Sequence, residues 1–511
     1  MSRTRLILSL LIPALAVAGP LPQPERGGVP ESKLYDYGVM GPPATPAIVA
    51  AADAAVSTPL PAGPFEADWE SIRRHYRTPA WFDDAKFGIF MHWGVYAVPA
   101  HRNEWYEKHM YGAELAWHTA NFGAPDRFGY KDFIPMFRQE KFDAGQWADL
   151  FRRAGARFVM PSAQHHDNFA LWDSKVTPFN ARRMGPKRDL IGELAAAVRK
   201  EGMKFGVSNH GVENFTFINP PQALEDRLKA AKADLYDPKW AGFYNVADRS
   251  PAAMTRFLSD WLARNLELID QYQPDLLWFD NGVNLRVLDP LKLRVAAHYY
   301  NRAQAWNKEV SISSKFVAYA PSNDDTQQVG SIIDFEKIGA RSPPDIRPGP
   351  WMVDDAIGST WGYTSGMKVA GGGAIVGRLV DTVSKGGFYL LNLSPKADGS
   401  IPEDQQRTLH EVGAWLENNG EAIYGTRPWK QYGEDSWRFT SKGAAVYAVG
   451  MPRDGSVVLR VLGPGAGKVQ RVEQLGRDGA LPFRQMQQGL TVEGISIAQG
   501  GLPPALKITL Q

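Results

Sequence analysis

The chain of 511 residues contains no cysteine, which removes disulfides, thiolate metal sites and a cysteine nucleophile at once. Net charge is almost absent as well: 57 basic against 55 acidic residues leave +2, so nothing calls for nucleic acid or an anionic membrane as partner. After the first twenty or so residues no apolar run is long enough to span a bilayer. What is present is a chain that is 44% hydrophobic and 22% charged, able to bury a large core and long enough for more than one domain. Its 16 Trp and 18 Tyr serve mostly as core, with some left to face a ligand that has apolar faces, sugars included.

The one early apolar run, Leu6 to Leu15, follows a basic start (Arg3, Arg5) and precedes the small residues Ala16-Val-Ala18. This order is that of a secretory signal peptide over residues 1–18, with a periplasmic or secreted mature protein and no membrane insertion after cleavage. Residues 19–64 are rich in Pro, Ala and Gly without a period and read as an arm or linker.

From residue 65 a helix-then-strand rhythm sets in. Asp143 caps a helix bearing Trp147, Leu150 and Phe151 on one face, and a strand over 157–162 leads to His165-His166-Asp167. Asp189 caps the next helix, Gly202 ends it, and a strand over 204–208 leads to Asn209-His210. Further helices are expected over 252–271, 291–306 and 375–385, and further strands over 87–91, 276–279, 310–314, 331–335 and 388–393. Ser400-Ile-Pro-Glu403 has the form of a capping box for a last helix reaching Asn419. Repeated units of this kind give a parallel sheet with right-handed crossovers, most economically a (β/α)₈-like barrel over residues 65–424. Short alternating runs after Tyr424 predict a small antiparallel β-sandwich over residues 425–511.

Polar residues at strand carboxyl ends of such a barrel converge on one face. His92, His165, His166, His210, Asp280 and Glu336 all fall at such ends, and Asp280 closes the apolar run Leu276-Leu-Trp-Phe. Two carboxylates ringed by His and Trp suit glycoside hydrolysis, one attacking the anomeric carbon and the other protonating the leaving oxygen. A metal centre and any other cofactor are expected to be absent: on a strand the adjacent His165 and His166 would point to opposite faces, which makes joint ligation awkward unless the strand has already ended, and His92-Trp-Gly lacks ligand alternation.

The blocks Trp81 to Tyr96 with Glu104-Trp105-Tyr106, His165-His166-Asp167 with Leu171-Trp-Asp-Ser-Lys175, and Gly185-Pro-Lys-Arg-Asp-Leu190 come in a telling order. With Leu276 to Asp280, Ser384-Lys-Gly-Gly387 and Leu390-Leu-Asn-Leu-Ser-Pro395, they resemble the family 29 glycoside hydrolases, the retaining α-L-fucosidases. The resemblance implies a catalytic barrel with a C-terminal β-sandwich, fucosylated glycans as partners, Asp280 as nucleophile, and His92, Glu104, Trp105, His165, His166 and Trp278 lining the sugar pocket. The chain departs from it in two places. Ser208-Asn209-His210 stands where members often carry Tyr-Tyr-Ser. Around the acid/base, Asp334-Phe-Glu336-Lys-Ile-Gly339 replaces Asp-Phe-Glu-Arg-Gly, and Pro350-Trp351-Met352 offers no carboxyl where Pro-Trp-Glu is frequent. Glu336 is therefore the acid/base candidate, with Asp354 or Asp355 as substitutes. Two alternatives stay open here: a barrel glycosidase for another sugar such as galactose, and a fucose-binding protein with impaired catalysis.

Overall fold

The computed structural model of the chain describes residues 59–284, 288–315, 318–321, 328–336, 342–497 and 500–511. The expected signal peptide and most of the expected arm lie outside them. Eight parallel strands pair in chain order and close: β1 Phe87–Met91, β2 Phe158–Gln164, β3 Lys204–Asn209, β4 Leu276–Phe279, β5 Ser311–Lys315, β6 Ser331–Asp334, β7 Trp351–Ala356 and β8 Phe388–Leu393. The expected barrel is thus present with all eight strands.

The helices start where the sequence supplies caps. Asp143 accepts from the backbone N–H of Gln146 (2.9 Å) ahead of helix Ala144–Arg153, and Asp189 from that of Gly192 (2.9 Å) ahead of helix Leu190–Lys200. Ser250 does the same for the long helix Pro251–Tyr272, whose Pro at the first turn costs no hydrogen bond. The expected capping box at Ser400 does not form. Ser400 is held instead by Asp398, which accepts both its N–H (2.9 Å) and its O–H (2.6 Å), and helix Glu403–Asn419 starts later, from an extended Pro402.

Strand β7 was not foreseen. Its run Trp-Met-Val-Asp-Asp-Ala is interrupted by two carboxylates, and among the described residues no helix separates β5 from β6 or β6 from β7, so the helix-strand rhythm that marks the other strands is missing there. No described helix is long and apolar enough to cross a membrane.

Side chains alternate along every strand, and the inward positions fill the barrel. Phe90, Phe158, Met160, Leu276, Trp278, Ile332, Met352, Phe388 and Leu390 form one buried cluster, and Phe82 and Ala85, from the helix preceding β1, belong to it as well. Phe158 needs the bare backbone of Gly206 opposite. A Cβ there would lie 2.6 Å from the Phe158 ring and 2.7 Å from the Leu276 carbonyl oxygen.

After the barrel come two antiparallel sheets. β9 Arg427–Glu434, β10 Trp437–Lys442, β11 Ala445–Val449, β13 Val469–Gln474 and β16 Ala505–Leu510 make the first, in the order β13-β16-β11-β10-β9. β12 Val457–Leu459, β14 Phe483–Met486 and β15 Gly489–Val492 make the second. Phe439, Val446, Ala448 and Ile508 share one core with Leu459, Leu490 and Val492, which makes the pair a sandwich. It is tied to the barrel helices by Arg438 to Asp381 (2.6 Å) and by the Trp415 indole N–H to the Pro503 carbonyl (2.8 Å).

Overpacking a filled interior costs about 1–3 kcal/mol. Gly206→Ala should accordingly lower the denaturation midpoint, and Phe158→Leu added to it should recover only part of the loss, because the Leu276 carbonyl stays in the way. Chemical denaturation of the two variants checks this.

Candidate active site

One step above the apolar layer, the next inward residue on nearly every strand is polar. Phe90 is followed by His92, Ser208 by His210, Trp278 by Asp280, Ser313 by Lys315, Ile332 by Asp334, Met352 by Asp354 and Leu390 by Asn392. The carboxyl ends of seven strands thus deliver a single ring of titratable or amide side chains, all buried.

Asp280 is the centre of that ring. Its Oδ1 lies 2.9 Å from the Lys315 ammonium, its Oδ2 accepts from His210 Nδ1 at 2.9 Å, and His166 Nε2 stands 3.5 Å from the same oxygen. Burial by itself would raise the Asp280 carboxyl, but the Lys315 charge and then the His210 hydrogen bond outweigh it and hold the group well below the usual range. Burial likewise works against the Lys315 charge, and Asp280, Glu336 and Asp354 around it keep it cationic. Lys315 also reaches Glu336 Oε2 at 3.4 Å. Sharing one ammonium, at 2.9 and 3.4 Å, keeps an oxygen of Asp280 and one of Glu336 no more than about 6.3 Å apart, a bound that admits the roughly 5–5.5 Å of a double displacement. Glu336 keeps 19% of its side chain exposed and faces the rim.

The two substitutes for Glu336 separate. Asp355 points out of the barrel, to Arg378 (2.7 Å) and the Tyr389 hydroxyl (3.1 Å), and has no access to the ring. Asp354 points in but is sealed in the floor beside Asp334, 1% exposed. Burial, then its neighbour Asp334, pushes Asp354 well above the carboxylate range, while Asp334 is raised by burial to about 6 against the Trp278 indole N–H that it accepts at 2.7 Å.

The histidines form the wall. The exception to the divergence of His165 and His166 is the case found: β2 ends at Gln164 and the turn after it directs both rings inward, 4.3 Å apart. His166 Nδ1 donates to the His210 carbonyl (3.1 Å), so Nε2 is its lone-pair side. For His92 the tautomer follows from Asn392, whose Nδ2 donates to the Trp361 carbonyl (2.8 Å). Asn392 Oδ1 is then the acceptor for His92 Nδ1 (2.8 Å), and His92 Nε2 bears the lone pair. Burial lowers all these imidazoles, His92 and His165 well below the usual histidine value and His166 to about 3, so they are neutral.

Ring nitrogens of His92, His165 and His210 lie within 4.8 Å of one another, as do ligand atoms of His166, His210 and Asp280. Spacing alone would admit a metal. However, His210 has both nitrogens committed, to Asp280 and to serine hydroxyls, and the Lys315 ammonium already occupies the carboxylate. A dication would have to break these contacts and sit beside a fixed positive charge. The donor set suits an uncharged hydroxylated ligand better.

A family model described as alpha-L-fucosidase matches residues 53–421. The chain belongs to the α-L-fucosidase family. It is 33% identical over 457 residues to the tissue alpha-L-fucosidase of Mus musculus, covering 86% of this chain and 92% of that one. To the plasma alpha-L-fucosidase of Homo sapiens it is 30% identical over 469 residues, 84% and 88% of the two chains. The crystal structure of Thermotoga maritima alpha-fucosidase in complex with fucose, 30% identical, aligns at a TM-score of 0.68 over 87% of this chain and 100% of that one. A GH29 alpha-L-fucosidase of Bacteroides thetaiotaomicron, trapped as a covalent intermediate, shares the fold at a TM-score of 0.64 and 21% identity, over 88% and 98% of the chains.

In this α-L-fucosidase family member the remaining expected residues sit at the rim or below the floor. Glu104 is buried and its Oε2 accepts from the Gly362 N–H (3.1 Å), while half-buried Trp105 packs edge-on to His166, ring centroids 5.9 Å apart. Trp278 does not reach the wall. It is fully buried, its ring covered by His210 (5.0 Å) and the Lys315 ammonium (5.6 Å). Residues the sequence reading missed are Lys315, Asn392, Trp361 and Glu213. Lys315 and Asn392 were legible in principle, each two residues beyond an inward-facing strand residue. Glu213 was not: it lies behind His166, its Oε2 3.4 Å from Nδ1, in a turn that no local pattern marks.

Lys315→Met should raise the Asp280 pKa, since the largest influence opposing burial is then gone and the His210 hydrogen bond remains. If Asp280 is the nucleophile it must be ionised to attack, so the acidic limb of kcat/KM should move to higher pH. The pH–rate profile of the variant checks the direction.

Proposed function

We propose that the enzyme releases terminal α-L-fucosyl residues from glycans by double displacement, with Asp280 as nucleophile and Glu336 as acid/base. The observation that carries this reading is the pairing of both carboxylates with one buried ammonium at the mouth of a pocket walled by neutral imidazoles. Glu336 protonates the leaving oxygen as Asp280 Oδ attacks the anomeric carbon and forms an ester; Glu336 then takes a proton from the water that releases the sugar. His165 Nδ1 and His166 Nε2 are buried without a hydrogen-bond partner among the described residues, and sugar hydroxyls are the groups that satisfy them. His92, Glu104 and Trp105 complete the pocket on this reading, with Trp278 supporting it from below. Both carboxylates of the pair are present, which supports hydrolysis over mere sugar binding.

Asp280→Ala should lose more than about 10³-fold in kcat while keeping the fold and most of the sugar affinity. Glu336→Ala should spare activated aryl fucosides far more than substrates with poor leaving groups. Azide should speed its second step and yield fucosyl azide of retained configuration, whereas azide with Asp280→Ala should give the inverted product. Kinetics and product NMR distinguish the roles, and the same pattern in Asp354→Asn would transfer the acid/base role to Asp354. Activity should persist after exhaustive chelation.

The basic start, short apolar run and Ala16-Val-Ala18 support export to the periplasm or beyond. N-terminal sequencing of the exported protein should begin near Gly19, and an intact Met1 would oppose it.

A further inference from the structure

His210 occupies the place where the sequence departs from the Tyr-Tyr-Ser of its family, and the departure puts an imidazole directly on the central carboxylate. Its Nδ1 lies 2.9 Å from Asp280 Oδ2, and its Nε2 lies 3.0 Å from Ser208 Oγ and 3.4 Å from Ser162 Oγ, the two hydroxyls being 3.2 Å apart. A carboxylate only accepts, so Nδ1 carries the proton, and one hydroxyl proton serves the Nε2 lone pair. The ring cannot turn away. It packs against Trp278 (5.0 Å), His165 (4.6 Å) and Phe90 (6.4 Å), and it is fully buried.

The order Asp280, His210, Ser208 has the connectivity of a hydrolase triad, but Ser208 is 0% exposed and sits one layer down in the barrel, where no substrate carbonyl can reach it. The chain of bonds therefore acts in the other direction. The serines orient the imidazole, and the imidazole orients the carboxylate.

We propose that His210 is a positioning residue for Asp280 whose hydrogen bond favours the second half of the reaction. The inference rests on the reading of Asp280 as nucleophile. In the first step a donor on Oδ2 draws charge away from the attacking carboxylate and helps little. In the second, the bond between the anomeric carbon and the ester oxygen breaks with its electron pair passing to Asp280, water supplies the new oxygen and its proton goes to Glu336. The carboxylate reappears against an N–H already in place, in a site that need not reorganise. A hydrogen bond to a charged, buried group is strong enough to change that step by about tenfold or more.

The test uses the full-length enzyme and 2-fluoro-fucosyl fluoride, which separates formation of the ester from its hydrolysis. His210→Phe keeps a packed ring without a donor, and His210→Asn offers an amide N–H near the Nδ1 position. In His210→Phe, reactivation of the trapped enzyme should slow about tenfold or more while inactivation changes less than about threefold. His210→Asn should recover much of the reactivation rate. Equal slowing of both steps, or no change in their ratio, overturns the proposal. Should the Phe variant not fold, ¹⁵N-histidine NMR of the wild-type enzyme decides: the Nδ1–H resonance of His210 should lie far downfield and move when Asp280 is esterified, and a resonance that does not move overturns it. Failure of the underlying reading looks different, as near-normal turnover by Asp280→Ala or label recovered on another residue.

Discussion

A carboxylate can stay ionised 7% exposed only if something inside the protein replaces the water it has lost, and for Asp280 that something is Lys315. The dependence runs both ways, because the ammonium is itself buried and is kept charged by Asp280, Glu336 and Asp354. The barrel beneath them is what makes each ion depend on the other, because burial works against both charges. The apolar layer of Phe90, Trp278, Ile332, Met352 and Leu390 shuts water out from below and so strengthens every charge interaction above it. The Asp334–Asp354 pair is the cost of the arrangement: two more carboxyls at the same level, both pushed upward by burial, and Asp354 also by its charged neighbour.

Most of the fold could be read from the chain, because an apolar run that stops at a polar residue marks a strand entering a site. β1, β4 and β8 were found at their observed bounds for that reason. β7 obeys the same rule in a form that hides it. Asp354 and Asp355 are neighbours on one strand and face opposite ways, the first into the barrel and the second to Arg378, so a segment with a buried residue at every position looks polar in sequence. Lys315 was missed for a related reason. A lysine at the end of a strand ordinarily reads as solvated, and only the inward phase set by Ser313 gives it away.

The histidines show where sequence reasoning about single residues stops. Adjacent imidazoles diverge only while the strand lasts, and His165 and His166 converge because β2 ends at Gln164, just before them. Whether such a cluster holds a metal or a sugar is decided by the partners of its other nitrogens, Asn392 for His92, the His210 carbonyl for His166, Asp280 and two serines for His210. Those partners come from different strands and from a turn, brought together only by closure of the sheet.

The two carboxylates are anchored in different ways. Asp280 continues a strand paired on both sides, where a slip of one residue would turn its side chain out of the barrel. Glu336 comes after β6 has ended, in a connection with no flanking helix among the described residues. Evolution can therefore lengthen or shorten the chain around Glu336 and still return a carboxyl to the rim, whereas Asp280 has one address. A change of chain length beside β6 costs no strand register, whereas one beside β4 does.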